Sequence, residues 1–327
     1  MICFRSFKRV SSWKGCWGAA AILFTLPALA QQPASPPHAD ASVADLMSMD
    51  LDSLANVHVT TASRFADKLS GAPSIMSVVT SDELRRFGGL TLNEILQRVP
   101  GLTGSTQYFS DRSLVAARGD QTKTDGGHIL FLINGRPTRE VMEGGIISDL
   151  LESFPVNILE RIEIIKGPGS VLYGSNAFSA VVNLITKKAE NNEATIQASG
   201  GGRGADDATG NFLYKHGGLS AVGAFQVHDM PDWSLTYLVP PSQQDLSFAP
   251  HVPAAENLNL QDKGVGAYVG LNYNGLRFMS SFTEWQSTGF IEGTVSPTRL
   301  TRDFADLGYD HRVNPNWDMS FDLTFTR

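Results

Sequence analysis

Cysteine is nearly absent from this chain. The 327 residues include only 2 cysteines, Cys3 and Cys16. Both lie in a basic segment that leads into the apolar run Ala19–Ala30, which ends in the Ala-Leu-Ala pattern of a signal-peptidase site. Residues 1–30 are therefore predicted to be a signal peptide that is cleaved before Gln31. The mature chain then has no cysteine, which excludes disulfides and thiolate chemistry.

Basic charge and long apolar runs are also scarce. The chain has 26 lysines and arginines against 33 acidic residues, and removal of the signal peptide takes away 4 basic residues and changes the net charge from −7 to −11. An acidic exported protein does not suit nucleic acid as a partner. No apolar run reaches the ~20 residues that a membrane-spanning helix needs. Insertion into a membrane would therefore require a β-barrel, because only helices and closed barrels satisfy every backbone group in lipid.

Side chains that carry catalysis or bind metals show no recognisable arrangement. The 7 histidines are scattered without the spacing of metal ligands, although the sequence leaves open one of them as a haem ligand. Gly169 and Gly174 have the spacing of a phosphate loop, but Ser175 stands where that loop needs lysine. A dinucleotide-binding turn that starts at Gly167 would need glycine in place of Leu172. We predict no catalytic residue, no metal site and no cofactor.

The mature chain divides by composition into four segments. These are a flexible lead over residues 31–53, a β-prone region and linker over 54–71, a compact α+β domain over 72–188 and a strand-rich region over 189–327. In the α+β domain, Thr-x-x-Glu sequences at Thr80 and Thr91 are capping boxes that open short helices. A buried strand over His128–Ile133 leads into a turn at Asn134 and Gly135. Two more predicted strands, RIEIIK and AVVNLITK, flank a glycine-rich turn.

The strand-rich region consists of alternating segments of about ten residues that turn residues separate. In the last segment, from Trp317, every second residue is apolar and the residues between are polar. Tight turns at Gly217 and Asn274 alternate with long connections, which are predicted over 229–264 and 288–301. This pattern predicts an antiparallel transmembrane β-barrel with short periplasmic turns and long outer loops. The alternative is a soluble β-sandwich, whose strands also alternate.

Several sequences in the α+β domain carry a family resemblance. The segments TLNEILQRVPGL, SLVAARGDQ, ILFLINGRP and LERIEIIKGPGSVLYGSNAFSAVVNLITKK follow one another in the chain. Together they resemble the plug domain of TonB-dependent outer-membrane receptors, and the resemblance extends from about Leu54 to Lys188. It implies an α+β plug domain followed by an antiparallel transmembrane β-barrel of about 22 strands. About seven of these strands are expected in this chain, which therefore looks like the N-terminal part of a receptor.

The resemblance also implies a function. Receptors of this family are not enzymes; they lie in the outer membrane of Gram-negative bacteria, surrounded by its lipid, and bind a scarce ligand from outside. An iron-siderophore is the expected ligand, and haem or cobalamin is the alternative. The partner TonB, with its inner-membrane complex, uses the proton-motive force to move the plug. A second hypothesis is a module that binds ligand or signals without transport.

The resemblance assigns roles to individual residues. The predicted TonB box, which would add a strand to the partner's sheet, comprises Val57, His58, Val59, Thr60, Thr61 and Ala62. A plug–barrel lock is predicted at Arg118 and Arg161, with barrel glutamates as partners. Candidate ligand contacts in two loops that are expected to face outward are Tyr108, Asp111, Asp120 and Asp125. The plug turn glycines are Gly135, Gly167, Gly169 and Gly174. Alternatives are an ordinary first plug strand for the box, surface charges for the arginines and solvated loops for the ligand contacts.

Overall fold

The computed structural model describes residues 58–59, 61, 67–68, 74–106, 113–120, 127–139, 145, 147–238, 245–246, 249–250, 255–291, 294–314 and 317–327. The predicted signal peptide and flexible lead lie outside the described residues. Their assignments, and the domain boundaries given above, stay predictions.

The first part of the described chain is a small α+β domain. Its strands are β1 His58–Val59, β2 Asp67–Lys68, β3 Met76–Thr80, β4 Leu102–Thr106, β5 Ser113–Ala117, β6 Ile129–Ile133, β7 Arg136–Pro137, β8 Leu159–Lys166 and β9 Ala180–Thr186. Its helices are α1 Ser81–Phe87, α2 Leu92–Leu96, α3 Ser148–Ser153 and α4 Ser170–Tyr173. A single 3₁₀ turn, Val156–Ile158, precedes β8.

One mixed sheet organises this domain. Its strand order is β3-β8-β9-β6-β7, in which β6 and β9 run parallel and the other neighbours antiparallel. β3 therefore lies at an edge, and β8 is its one partner in the sheet. On one face the central strands pack with α2 and α3 into the main core, and on the other face α4 covers a smaller apolar cluster around Leu130 and Val181.

The predicted helix starts are present. The Thr80 hydroxyl accepts a hydrogen bond from the Glu83 amide, and the Glu83 carboxylate accepts one from the Thr80 amide at 2.7 Å, which completes the capping box of α1. The Thr91 hydroxyl likewise accepts from the Glu94 amide at the start of α2. These side chains satisfy amides that have no partner within the first turn of a helix.

A larger antiparallel sheet follows the α+β domain. Its strands are β10 Glu193–Gly200, β11 Asp206–His216, β12 Leu219–Leu238, β15 Ala255–Tyr273, β16 Leu276–Ile291, β17 Thr294–Asn314 and β18 Trp317–Thr326. Each of these seven strands pairs with the next in chain order. The short pairs β13 Asp245–Leu246 and β14 Ala249–Pro250 lie in the connection between β12 and β15.

The two faces of this sheet differ in polarity as the alternation predicts. On β18 the apolar residues Trp317, Met319, Phe321, Leu323 and Phe325 are all exposed. On β15 the outward residues include Val265, Leu271 and Tyr273, whereas Tyr268 between them is buried against the α+β domain. The sheet therefore presents an apolar outer face and holds the α+β domain on its inner face.

Two of the predicted long connections are wrong. β12 continues to Leu238 and β15 begins at Ala255, so the connection covers 239–254 and not 229–264. Residues 288–301 are not a loop, because β16 ends at Ile291 and β17 begins at Thr294. Where this extension begins, Asp229 and Lys263 lie directly opposite each other on β12 and β15 and form an ion pair at 3.2 Å.

Among the described residues, no helix combines the length and apolar character that a membrane crossing requires.

Candidate functional site

Thr61 is the best-defined residue of the predicted TonB box. Its backbone amide donates to Glu163 Oε2 at 2.9 Å, and its hydroxyl donates to the same oxygen. Asn183 Nδ2 donates to the Thr61 hydroxyl at 2.9 Å, and the Tyr173 hydroxyl donates to the Thr61 carbonyl at 2.8 Å. Thr61 is fully buried by these contacts. Four hydrogen bonds thus fix this point of the chain to β8, β9 and α4.

The rest of the box is only partly described. His58 and Val59 form β1, which pairs with Lys68 and Asp67 of β2, and Val59 is buried. Val57, Thr60 and Ala62 lie outside the described residues. The structure shows a docked segment at Thr61, and the role of the segment as a TonB box stays a prediction.

Glu163 can be buried because a neighbouring cation compensates its charge. Arg161 Nε donates to Glu163 Oε1 at 2.8 Å, while Thr61 takes the other carboxylate oxygen. A buried carboxylate without such partners would be strongly destabilising. Arg161 also donates to Glu160 at 2.7 Å. The predicted lock residue Arg161 is therefore bonded to two carboxylates of its own strand.

Arg118, the other predicted lock residue, lies elsewhere. It has a positive φ of 55°, which is uncommon for arginine. Its guanidinium lies close to Gly167, and burial together with the charge of Arg118 lowers the pKa of Lys166 from its ordinary value. Arg161 and Lys166 stand near opposite ends of β8, so the structure places Arg118 and Arg161 at different ends of this strand.

An ion-pair network that sequence reasoning missed joins the domain to the large sheet. Arg136, directly after the Asn134-Gly135 turn, contacts Asp322 at 2.5 Å and Asp306 at 3.7 Å. Arg277 of β16 contacts Asp322 at 2.7 Å and Asp310 at 2.6 Å. The aspartates occupy inward positions on β17 and β18. The spacing of four residues between Asp306 and Asp310 was visible in the sequence, but the arginine partners of the three aspartates were not.

The Asn134 side chain holds the Asn134-Gly135 turn against the large sheet through hydrogen bonds. Its Nδ2 donates to Thr186 Oγ1 at 2.9 Å and to the Tyr268 hydroxyl at 3.1 Å. Asn134 and Gly135 both have positive φ, at 49° and 82°, as a tight turn of this kind requires. The turn therefore inserts between β9 and the inner face of β15.

A second buried ion pair joins α3 to the large sheet. Arg302 of β17 donates through Nε and Nη2 to the two carboxylate oxygens of Asp149, at 2.9 and 3.0 Å. Thr283 of β16 adds a hydrogen bond to Asp149 at 2.7 Å. The side chains of Arg302 and Asp149 are only 5% and 2% exposed. Sequence reasoning did not identify this pair, since neither residue lies in a motif.

The predicted turn glycines have two different structural reasons. Gly135, Gly167 and Gly174 have φ values of 82°, 146° and 76°, a region that side chains disfavour. Gly169 begins α4, and a side chain there would overlap Val181 of β9. The glycine-rich turn thus lets α4 approach the sheet closely.

Of the candidate ligand contacts, Asp120 lies within the described residues, and the grouping of the four stays a prediction. Asp120 follows β5 at the end of the strand where Ala117 pairs with Leu102. Asp120 accepts a hydrogen bond from His128 Nδ1 at 2.9 Å if that nitrogen carries the proton. Tyr108, Asp111 and Asp125 lie outside the described residues. Within the described residues, no group of His, Cys, Asp and Glu suits a metal ion.

The α+β domain is similar to a known protein family. The family described as TonB-dependent Receptor Plug Domain matches residues 68–181. The vitamin B12 transporter BtuB of Vibrio vulnificus (strain CMCP6) is 33% identical over 190 residues, which cover 55% of this chain and 30% of that relative. The family match lies within the α+β domain, and both matches support the resemblance drawn from the sequence.

Solved structures share the fold. The siderophore receptor PiuA from Acinetobacter baumannii superimposes with a TM-score of 0.58 at 16% identity, over 83% of this chain and 39% of PiuA. The ferric-catecholate import receptor Fiu from E. coli K12 gives 0.54 at 15% identity, over 80% of this chain and 40% of Fiu. The predicted α+β domain followed by antiparallel strands of a receptor barrel is confirmed. The similar proteins are transport receptors and not enzymes.

Proposed function

We propose, from the TonB-dependent receptor plug domain that residues 68–181 form, that the protein is a gated import receptor of the outer membrane. In this proposal the α+β domain is a plug inside a barrel to which the large sheet belongs. A scarce ligand binds from outside, and TonB, driven by the proton-motive force, pulls on Val57–Ala62 to move the plug. The chain spans 30% of the curated relative described above, so the activity of a whole receptor is a proposal.

Thr61 supports the proposal most directly. It joins the predicted TonB-binding segment to the plug through Glu163, Tyr173 and Asn183. Hydrogen bonds are short-ranged, and each contributes about 0.5–1.5 kcal/mol net between neutral groups and about 1.5–3 kcal/mol to a charged group such as Glu163. A small number of them can therefore hold a segment at rest and still release it under a pull. The extended, β-branched segment suits strand addition to a partner's sheet.

Removal of the segment tests the proposal. Deletion of Val57–Ala62 should abolish energised uptake and leave ligand binding unchanged, because the box transmits force and does not contact the ligand. Radiolabelled uptake and equilibrium binding should be measured on cells that express the complete coding sequence. Deletion of the six residues Ala41–Leu46 from the lead is the matched control. Uptake that survives the box deletion, with TonB present, would show that the assignment is wrong.

The ligand should be tested with two probes. Cyanocobalamin comes first, because the relative at 33% identity is a vitamin B12 transporter. A ferric catecholate siderophore comes second and represents the ligand class expected from the family resemblance. Saturable uptake of one probe, competed by an excess of the unlabelled compound, identifies the class. Binding without any TonB-dependent uptake would favour the alternative of a non-transporting module.

The predicted lock is proposed in modified form. Arg118 lies beside Lys166, and neither side chain has a carboxylate partner among the described residues. We therefore keep Arg118 as the candidate for pairing with a barrel carboxylate. Arg161 stabilises buried Glu163, which holds Thr61. Its proposed role is to support the docked segment from within the plug.

Outer-membrane location is supported by the apolar face of the large sheet. On β15 the outward residues from Lys263 to Tyr273 span ten steps, or about 34 Å along the strand. With a strand tilt of roughly 40° this corresponds to a height of about 26 Å, close to the ~25 Å apolar band of outer-membrane barrels. Tyr214, Tyr273, Tyr309 and Trp317, all exposed, lie near the tight-turn end of this face, as interfacial aromatic residues do.

A further inference from the structure

A small polar group lies on the inner face of the large sheet, next to the end of α3. His228 of β12, Gly264 of β15 and Trp285 of β16 stand side by side in the register of the three strands. Asp262 is the next inward residue of β15, farther from the tight turn at Asn274. A side chain on Gly264 would overlap the His228 ring. Glycine at this position therefore makes room for His228 beside Asp262.

Asp262 is held in one orientation through a single oxygen. Trp285 Nε1 donates to Asp262 Oδ1 at 2.8 Å, and His228 Nε2 lies 3.2 Å from the same oxygen. Trp285 and His228 are both buried, so their rings are fixed by packing. Asp262 Oδ2 has no hydrogen bond within the described part of the chain, and the Asp262 side chain is 41% exposed. The carboxylate thus presents an oriented acceptor to open space.

His228 carries a second polar atom with unused bonding capacity. Its Nδ1 is buried and has no hydrogen-bond partner among the described residues. The large majority of buried polar side-chain atoms in proteins are hydrogen-bonded. An unpaired nitrogen next to a half-exposed carboxylate therefore marks a place on the wall where a polar group from another molecule can bind.

This place is on the side of the plug from which a ligand would arrive. The end of α3 meets β15 at Gly264 and Gly266, where side chains would contact Ser153. Asp262 lies beyond that contact, away from the tight turns. The tight turns are periplasmic in the proposed receptor, so Asp262 lies above α3 and faces the outer opening of the barrel.

The charge of the wall at this level favours one class of ligand. The neighbours of Asp262 in the register are Met230 and Ser287, which are uncharged. Asp207 of β11, directly opposite His228, adds a second carboxylate. A surface that carries one sign of charge attracts the opposite sign and repels its own. An amide or ammonium N–H can therefore donate to Asp262, whereas an anionic group would be repelled.

We propose that Asp262, oriented by Trp285, is a ligand-binding residue of the barrel wall that accepts a hydrogen bond from an amide or ammonium group and selects against anionic ligands. This rests on the proposed function of an import receptor and narrows its ligand class. Cyanocobalamin, which carries primary amides around its corrin ring, fits this site, and an anionic ferric catecholate does not. Trp285 acts as a positioning residue, because it fixes the carboxylate and leaves the second oxygen to the ligand.

Equilibrium binding to the purified complete receptor in detergent tests the proposal without TonB. Asp262→Ala should weaken the binding of radiolabelled cyanocobalamin by about 10- to 100-fold, as expected for loss of a hydrogen bond to a charged group. Asp262→Asn keeps an acceptor oxygen without the charge and should give an intermediate loss, which preserves the test if the alanine variant folds poorly. The control is Asp229→Ala, which removes a carboxylate paired with Lys263 on the outer face and should leave binding unchanged. The parent should bind the ferric catecholate more weakly than cyanocobalamin.

Trp285→Phe separates positioning from packing. Phenylalanine keeps an aromatic ring in the buried site and removes the N–H that orients Asp262. Trp285→Phe should weaken cyanocobalamin binding by less than Asp262→Ala does, and it should add no further loss when residue 262 is already alanine. A purely structural role for Trp285 would instead add the same loss in both backgrounds.

Other outcomes would overturn the inference at defined points. Unchanged affinity in Asp262→Ala, or an equal loss in Asp229→Ala, would remove Asp262 as a ligand contact. A parent that binds the ferric catecholate more tightly than cyanocobalamin would overturn the ligand class and leave the proposed import receptor intact. Uptake that survives deletion of Val57–Ala62 would contradict the proposed function itself. The two failures are distinguishable, because one is measured as binding in detergent and the other as energised uptake by cells.

Discussion

At the scale of residues, charged side chains of the plug have specific partners of opposite charge. Glu163 is matched by Arg161, Asp149 by Arg302, and Arg136 by Asp306 and Asp322. The last two sets join plug and barrel, and their polarity is opposite: the plug supplies the carboxylate in one and the guanidinium in the other. A plug that must be held in one orientation gains specificity from such a pattern, because a displaced plug would leave both charges without partners.

The buried pair should contribute far more than an exposed one. Asp149→Asn leaves Arg302 buried without a counter-charge and should lower the free energy of unfolding by about 3–5 kcal/mol. The control is Arg312→Gln in the surface pair with Asp318, whose side chains are 70% and 76% exposed and which should change stability by only ~0–1 kcal/mol. Thermal unfolding in detergent measures both. Equal effects of the two substitutions would contradict the role of Asp149 as a buried anchor.

Lys166 should give the plug a pH dependence with a defined sign. Burial and then Arg118 lower its pKa from the ordinary value of 10.5. Between the lowered pKa of the folded state and 10.5, the unfolded chain binds more protons than the folded protein, so the free energy of unfolding rises with pH in that window. Below the window Lys166 is protonated in both states, and the full cost of burying its charge lowers stability. Lys166→Gln should remove this slope. Lys215→Gln, at an exposed lysine, is the control and should leave the slope unchanged. Denaturant unfolding at several pH values measures the difference, and a slope unchanged in Lys166→Gln would reject this origin.

At the scale of elements, glycines in strand β15 allow helix α3 of the plug to approach the barrel sheet closely. β15 carries Gly264 and Gly266 on its inward face, directly under the end of α3. Glycine in a strand interior ordinarily weakens the strand and marks a close approach of another backbone. Here that cost is offset by the hydrogen bond from Ser153 to the neighbouring strand and by burial of the helix.

A methyl group at Gly266 should push the helix away. Gly266→Ala should destabilise the protein by about 1–3 kcal/mol, because the new atom meets backbone that cannot rotate aside. Gly202→Ala is the control, since a side chain there meets nothing. Unfolding midpoints of the two variants provide the comparison. A Gly266→Ala protein as stable as the control would mean that α3 does not press on β15.

At the scale of the molecule, the barrel sheet separates two environments. Its outer face carries aromatic and aliphatic residues, and its inner face carries the aspartates and arginines that bind the plug. In the proposed receptor, the same strands face lipid on one side and a polar interface on the other. The alternation of the sequence serves both requirements, because successive side chains of a strand point to opposite faces.

The outer face should respond to charge according to depth. Val269→Arg, near the middle of the outward band of β15, should cost about 2–4 kcal/mol on folding into lipid vesicles, whereas Lys263→Arg at its edge should cost almost nothing. Folding yield against denaturant in phospholipid vesicles provides the measurement. Indifference to both changes would remove this face from the membrane and favour the sandwich alternative.

The sequence predicted local structure well where short-range rules apply. The capping box at Thr80 and the turn at Asn134 are where they were expected. At Thr91 the hydroxyl accepts from the Glu94 amide, but the Glu94 carboxylate accepts from the Leu90 amide, so the predicted capping box is only half formed. Prediction was less accurate for the length of the strands. Residues 288–301 were predicted to be a loop, but β16 and β17 stay paired up to Ile291 and Thr294, and Arg299 contacts Glu284 across the two strands. Such pairs join residues of different strands and leave no pattern along either one.

The sequence by itself determined the plug family, the alternating strands and the turns, because these depend on residue order within a few positions of the chain. Only the tertiary structure decided which charges meet. Arg161, which was predicted to pair with a barrel glutamate, bonds Glu163 of its own strand, and Arg136 and Asp149 form ion pairs with the large sheet. Asp149 and Arg302 are 153 residues apart in the chain. Charge alone does not select a partner at that separation; the register of the strands and the seat of α3 on β15 do.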